Sequence, residues 1–448
     1  MLRTAIKMAA LGAVCAGVYS GHANAADLGR TCCGDLEERI SELEATVARK
    51  GNRVVSLQIS GHIVRELLFW DDGDQSDIYV VDPGTTLASN FKLTGEAQIK
   101  PGWSAGFNVH IEVLSAQSLF VDQLNDDAGE DGLSALHTNV FLKSDQLGKL
   151  TIGKQSQASD NAAILADFSG TLVQANWVLF NGASLFLRPK DSGLSGAAGL
   201  EENRIGSLGF CQSLGLGIGA DCNGVPLDAI RYDSPTIAGF SASAAWGEDD
   251  FWDVAARYAG EFGAFRLKTE TAYSWVGDRD DGVDAEYFQI GAMVMHTPTG
   301  LFLYGAYGRE ESDGAFIDVS SAGLVLQEVP DNDHWYLKGG IRKQWSELGH
   351  TVFYGEYARY NNMFGGFSCD GTIGTTAIGG ACAGGTEITG SELNRWGMGV
   401  VQEIDAASMS IWAKYVQLDT ELDFIDGGSQ TQDYETLHQF ALGMMISF

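Results

Sequence analysis

The sequence predicts an all-β protein, a sixteen-stranded antiparallel transmembrane β-barrel with an inward-folded third loop, preceded by a short coiled-coil helix. Three observations predict this fold. Apolar residues occupy every second position from Phe440 to Phe448, as in a strand with one lipid-facing side. The chain is rich in glycine and aromatics, with 57 Gly, 22 Phe, 14 Tyr and 10 Trp against 7 Pro. Long and short connections also alternate along it, as in bacterial outer-membrane barrels.

The N-terminus has the pattern of a secretory signal peptide, predicted at residues 1–25. Arg3 and Lys7 provide a positive region, an apolar stretch follows, and residues 23–25 form a small-residue cleavage site. The apolar stretch is shorter than the roughly 20 residues of a membrane-spanning helix. A lipoprotein signal at Cys15 is the alternative, and the bulky valine before this cysteine disfavours it.

Residues 26–53 are expected to form a periplasmic segment with a short coiled coil. Apolar residues fall at heptad spacing with charged residues between them. General coiled-coil rules favour a dimer, but the segment from Arg39 to Glu44 resembles a trimer-specifying pattern, which outweighs them. A solvated amphipathic helix is the alternative. The predicted trimer residues are Leu36, Arg39, Ile40, Leu43, Glu44 and Val47.

A two-residue period begins at residue 54, and the barrel is predicted to occupy 54–448. The first strands place apolar residues on one face and polar residues on the other, which favours lipid on the apolar side. A soluble β-sandwich would leave the charged row without partners in a sealed core. The predicted strands are 54–69, 91–100, 103–113, 135–144, 149–155, 227–233, 239–247, 251–261, 265–276, 286–296, 301–310, 333–345, 350–361, 392–403, 408–419 and 434–448.

The C-terminal residue is Phe448, at the end of the last alternating strand. A terminal Phe on such a strand resembles the signal by which the barrel assembly machinery recognises outer-membrane proteins. An even number of strands leaves both ends of the barrel in the periplasm, on the side of the short turns. Phe448 is therefore the predicted assembly signal.

The formal net charge of −31 excludes non-specific binding to nucleic acid. The acids concentrate in apparent loops such as 71–74 and 278–284. Such loops keep a protein soluble. At the outer leaflet they are also expected to contact lipopolysaccharide phosphates through divalent cations.

Cysteines occur in pairs that are close in sequence. An oxidising periplasm permits the disulfides Cys211–Cys222 and Cys369–Cys382, each closing one surface loop. Metal binding is the weaker alternative, because no histidine lies near either pair. The adjacent residues Cys32–Cys33 would form a strained ring, which leaves pairing between chains open.

Several segments together resemble the general porins of alphaproteobacteria. They are the paired cysteines at 32–33, DLEER at 35–39, RKGNR at 49–53, ISG at 59–61 and AIRYDSP at 229–235. The resemblance implies a homotrimer of barrels in the outer membrane, each a water-filled channel for passive diffusion of small hydrophilic solutes and ions. It also implies that the third loop folds inward to narrow each pore.

The connection at about 156–226 is independently the candidate for the narrowing loop. It is far longer than ordinary connections, and a sixteen-stranded barrel encloses a lumen too wide to discriminate small solutes without one. Its acids Asp160 and Asp167 are expected to face a basic wall that includes Lys92, although solvated loop charges are the alternative. The candidate wall residues are His62, Lys92, Glu96 and His110. Net acidity suggests a weak cation preference.

An enzyme is not expected, because the sequence lacks a nucleophile elbow, a phosphate loop and a metalloprotease helix. Neither a cofactor nor a metal is expected either. A solute-specific channel is the closest alternative, and a row of aromatics along the lumen would favour it. An outer-membrane hydrolase using His62 and His110 is a remote one.

Overall fold

The structure is a computed structural model that describes residues 55–84, 86–129, 132–190, 204–209, 224–247, 250–277, 284–312, 315–319, 323–327, 331–363, 387–425 and 429–448. The predicted signal peptide, the coiled coil and all of the paired cysteines lie outside the described residues. Within them, no helix is long and apolar enough to span a membrane.

The described residues form a closed antiparallel barrel of sixteen strands, two of which consist of two segments. This confirms the predicted fold class and strand number. The strands are β1 (Ser56–Asp71), β2 (Ser76–Val81 and Asn90–Lys100), β3 (Trp103–Leu114), β4 (Gly132–Ser144), β5 (Gly148–Gln155), β6 (Leu227–Asp233), β7 (Phe240–Gly247), β8 (Trp252–Phe262), β9 (Phe265–Val276), β10 (Ala285–His296), β11 (Leu301–Ser312), β12 (Asn332–Ser346), β13 (Gly349–Asn361), β14 (Glu387–Ile404), β15 (Met409–Ile425) and β16 (Ser429–Asp433 and Leu437–Ser447).

The barrel closes where β1 pairs with β16. Their register runs from His62 opposite Ser447 to Asp71 opposite His438. Beyond it, Gly61 and Phe448 exchange two backbone hydrogen bonds, with N···O distances of 2.9 and 3.0 Å. The C-terminal residue therefore forms the last rung of the closing ladder.

Alternation of burial along β1 confirms the assignment of its two faces. Ile59, Ile63 and Leu67 are exposed on the outer face, whereas Val64 and Glu66 are buried on the inner face. Successive side chains of a strand point to opposite sides, so the apolar row lies outside the barrel and the other row lies inside.

Connections at one end of the barrel are short and those at the other end are mostly long. The β2–β3 turn comprises residues 101–102 and the β8–β9 turn residues 263–264, whereas the β5–β6 connection spans 156–226. The β11–β12 connection contains a separate hairpin, Ala315–Val319 paired with Gly323–Gln327. Alternating connection lengths were predicted from the sequence.

Strand β2 is longer than predicted and is interrupted. Its first segment pairs with the upper part of β1, and its second segment pairs with the lower part. Between them, residues 82–89 leave the ladder, and the ring of His62 lies 3.3 Å from the carbonyl oxygen of Leu87. The sequence pattern left residues 70–90 outside the predicted strands and assigned the acidic run at 71–74 to a loop.

One side of the inner wall is aromatic rather than charged. Inward residues of β10 to β15 form a buried cluster with the long connection after β5. Other strand aromatics, such as Trp246, Phe353 and Trp396, are exposed on the outer face. The inward aromatics do not line an open path, because the connection covers them. The buried wall aromatics include Tyr287, Phe302, Tyr304, Tyr336, Tyr354, Tyr360 and Trp412.

Candidate functional site

The connection after β5 is termed here the constriction loop (residues 156–226), and its described parts, 156–190 and 204–209, pack against inward side chains of the barrel. Near its start, Arg257 on β8 donates to the carbonyl oxygen of Ala158 at 2.7 Å. Asp253 of the same strand accepts from both the backbone N–H and the hydroxyl of Ser159. A single helical turn, α1 (Ala162–Leu165), follows and packs against β9 to β11.

Asp167 attaches the next part of the loop to strand β12. Its carboxylate accepts a hydrogen bond from Nζ of Lys338 on β12 at 2.5 Å, and both side chains are almost completely buried, at 2% and 0% exposed. The same ammonium donates to Thr171 Oγ1 at 2.8 Å and to the carbonyl oxygen of Ala175 at 2.6 Å. Asp167 therefore pairs with Lys338 of β12.

Arg395 on the barrel wall holds the middle of the loop by its backbone. Arg395 on β14 donates to the carbonyl oxygens of Asn176 and Val178 at 2.7 and 3.2 Å. Its guanidinium also binds Glu356 on β13 at 2.9 Å. The planar guanidinium carries several N–H donors, so one side chain can bind two carbonyl oxygens and a carboxylate at the same time. The two bonds to carbonyl oxygens fix the loop backbone, and Glu356 holds Arg395 in place.

The far part of the loop reaches the strands that close the barrel. Asn181 donates to Glu66 on β1 at 3.1 Å. Glu66 also accepts from Lys414 and from the indole N–H of Trp412, both on β15. The loop thus runs along the inner wall from β8 to β1, and its attachment covers more than half of the barrel circumference.

The outer end of the loop is tied to the β1–β2 turn by Arg188, whose Nε lies 2.8 Å from Asp72 Oδ2. Burial by itself raises the pKa of Asp72, but hydrogen bonds from the Gln75 amide, Gln123 and Arg188 outweigh it and hold this pKa below its usual value. A lowered pKa means that the ionised form stabilises the fold above pH ~4. This contribution is lost only as the pH falls further through the folded-state pKa.

The wall of β1 to β4 carries a basic and imidazole row instead. Lys92 on β2 faces Ser60 on one side and His110 on the other. The rings of His110 and His137 meet edge to face, with centroids 5.2 Å apart. His62 lies on the same face of β1. Lys92 makes no salt bridge with any residue in the described part of the chain.

Asp160 does not lie on the open side of the loop, because it is only 4% exposed. The open side carries Leu165, which is 44% exposed, and the half-buried Phe168. The ring of Phe168 is covered by the guanidinium of Arg266 at 4.6 Å. Within the described part of the loop, the face toward the lumen is therefore largely uncharged.

The remaining candidates are placed as follows. Glu96 is exposed on β2, opposite Gly106 of β3, on the same strand face as Lys92. His137 was missed, although a cross-strand extension of the Lys92–His110 row would have identified it. Among the described residues, no group of three or more His, Cys, Asp or Glu side chains is arranged to hold a metal ion.

Comparisons with known proteins agree with this geometry. A family model described as Gram-negative porin matches residues 9–401. The chain is similar in fold to an anion-selective porin from Comamonas acidovorans, with a TM-score of 0.50, 15% identity, and coverage of 88% of this chain and 100% of that one. It is similarly related to OmpT, an outer membrane protein of Vibrio cholerae folded in vitro, with a TM-score of 0.50, 13% identity and coverage of 90% and 99%.

These structural similarities, at such low identity, bear on the fold alone. No curated protein matches the chain significantly.

Proposed function

The chain belongs to the Gram-negative porin family, and from that premise we propose that it is a general porin of the alphaproteobacterial type. It is a protein of the bacterial outer membrane, and its barrel forms a water-filled channel for passive diffusion of small hydrophilic solutes and ions. The alphaproteobacterial type is supported by the segments at 35–39, 49–53 and 229–235. One observation carries the general-porin proposal: the described anchors of the constriction loop lie on β8 to β1, while on β2 Lys92 stays partly exposed and Glu96 is exposed.

The test is conductance of the purified protein in planar lipid bilayers. A general porin gives large stepwise conductance increments with weak selectivity among small ions. Block of the current by one class of solute would instead favour a solute-specific channel. An absence of steps from correctly folded protein would contradict the channel assignment.

We further propose that the narrowest part of the pore favours anions over cations. Lys92 makes no salt bridge among the described residues and is partly exposed beside the buried ring of His110, whereas Asp167 is neutralised by Lys338. Charge at the constriction governs selectivity more than charge in distant loops. This proposal replaces the weak cation preference that the net charge suggested.

Replacing Lys92 by Gln is expected to shift the reversal potential in a salt gradient toward cations. The shift should grow at low salt, because the screening length is ~8 Å at physiological ionic strength and longer in dilute salt. Lys343→Gln is the matched control, since Lys343 lies five positions after Lys338 on β12 and therefore on the opposite face. Equal shifts in both variants would show that Lys92 does not border the ion path.

We propose that the functional unit is a homotrimer, supported by the Arg39–Glu44 pattern and by the family resemblance. Unheated protein should migrate in a detergent gel near three times the mass of the mature chain, and heating should convert this band to monomer. Arg39→Ala should lower the conversion temperature, whereas Lys50→Ala, outside the predicted heptads, should not. Monomers alone in cross-linking and light scattering would contradict the trimer.

Three further assignments remain proposals. The disulfides Cys211–Cys222 and Cys369–Cys382 would each add at most about 3 kcal/mol by the loop-entropy estimate, and peptide mapping without reduction tests them. Acidic outer loops are proposed to contact lipopolysaccharide through divalent cations. Phe448 is proposed as the residue that the assembly machinery recognises.

A further inference from the structure

Three buried oxygen atoms beside the interruption of β2 accept no hydrogen bond from any residue that the structure describes. They are Asp82 Oδ1, Asn90 Oδ1 and Glu112 Oε1. Their side chains are 0%, 2% and 1% exposed. Buried polar atoms are almost always satisfied by protein, water or an ion, and a buried charge without a partner is especially unfavourable. Three such atoms in one place call for a physical explanation.

Local geometry brings the three side chains together. Asn90 and Glu112 are direct neighbours across β2 and β3. Ala88 connects them, because its backbone N–H donates to Glu112 and its carbonyl oxygen accepts from Asn90 Nδ2 at 2.9 Å. The next residue, Ser89, donates from its N–H and its hydroxyl to Asp82 Oδ2, both at 3.1 Å.

The two carboxylates are close enough to repel each other electrostatically. Asp82 is partly compensated, since Arg65 Nη1 lies 2.5 Å from its Oδ2. Glu112 makes no salt bridge within the described residues. Lys92 attracts its carboxylate, but this effect is weaker than the repulsion from Asp82. The pocket therefore contains two carboxyl groups and one contacting base, Arg65.

We propose that this pocket is a binding site for a divalent cation of the calcium or magnesium class, with Asp82, Asn90 and Glu112 as side-chain ligands. Carboxylate and amide oxygens are the ligands that these hard cations prefer. All three atoms are oxygens, which disfavours zinc. A bound cation would neutralise Glu112 and join segment 82–89 to β3.

A cation bound at this position would have a structural role. The backbone of Gly84 lies against Phe180 of the constriction loop, since a Cβ at Gly84 would sit 3.3 Å from the Phe180 ring. Gly84, two positions after Asp82, thus contacts the constriction loop directly. A cation that orders the chain beside Gly84 would therefore stabilise the position of the constriction loop. This role does not depend on which solutes pass through the pore.

The test is equilibrium dialysis of folded, full-length mature protein in detergent, stripped with EGTA and then titrated with calcium chloride. Acidic outer loops also bind calcium, so the readout is the difference between variants. Glu112→Gln should bind one calcium ion fewer per chain than the wild type. Glu421→Gln, which removes an acid from the outer end of β15, is the matched control and should keep the pocket site.

Asn90→Ala serves as a second variant, because it removes a ligand without leaving a charge. It should weaken the same site by at least tenfold and remains informative if Glu112→Gln does not fold. Calcium should also raise the temperature at which the wild type loses its folded gel band, and should do so much less in either pocket variant. Equal binding by the wild type and both pocket variants, or equal calcium protection, would overturn the proposal.

Discussion

Replacing Lys338 by Met is expected to detach part of the constriction loop and to destabilise the protein by about 3–5 kcal/mol, because it leaves Asp167 buried without its partner. The pair is almost fully buried, so solvent screens little of the loss. Single-channel conductance should rise as the loop leaves the wall. The temperature at which the folded gel band disappears, at a fixed heating rate, should fall.

Two controls separate the buried pair from a general loss of charge. The double variant Lys338→Met with Asp167→Leu should recover most of the stability, since replacing a whole buried pair by apolar residues is often neutral or stabilising. Arg309→Gln breaks an exposed pair with Asp331, with side chains 45% and 49% exposed, and should cost at most about 1 kcal/mol. Wild-type conductance and heat stability in Lys338→Met would contradict the anchoring role.

Deleting Phe448 is expected to abolish assembly in the outer membrane while leaving secretion intact. In the folded barrel the deletion removes only the final rung with Gly61, two hydrogen bonds in a ladder that continues to Asp71. Each such bond contributes about 1 kcal/mol. Recognition during assembly, and not stability of the finished barrel, should therefore be the main loss.

That distinction can be measured directly. Denatured protein lacking Phe448 should refold in detergent nearly as well as the wild type, yet be missing from the outer membrane of cells and accumulate in the periplasm or be degraded there. Phe448→Tyr should restore surface levels, because it keeps an aromatic C-terminus. Normal surface levels of the deletion variant would refute the assembly role.

The strands of the barrel could be predicted because lipid imposes one simple rule on every second residue. Ile59, Ile63 and Leu67 follow this rule, and so do the strands near the C-terminus. The order of long and short connections gave an independent count, which the structure confirms. The inward path of the constriction loop was expected from its length and its position after the fifth strand, and from the family resemblance, since a lumen this wide needs a narrowing element.

The interior could not be predicted in the same way because it contains two environments. Tyr304 and Tyr336 face inward, but they are buried by the constriction loop, so an apolar residue on a barrel strand does not by itself indicate lipid. Which base pairs with Asp167 depends on the path of the loop through space. Lys92 and Lys338 both face inward, and only tertiary structure distinguishes the unpaired lysine from the buried one.

The anchors of the constriction loop also determine when it can be seated during folding. Ala163 is 126 positions away from its partner Gln289, Asp167 is 171 positions from Lys338, and Asn176 is 219 positions from Arg395. Contacts between such distant residues form late, because they require the closure of very long chain segments. Strands β10 to β14 must therefore form before the constriction loop can pack against them. A newly inserted barrel consequently has an unconstricted pore until the constriction loop docks. The rate of this docking step limits how long the membrane is permeable to larger molecules.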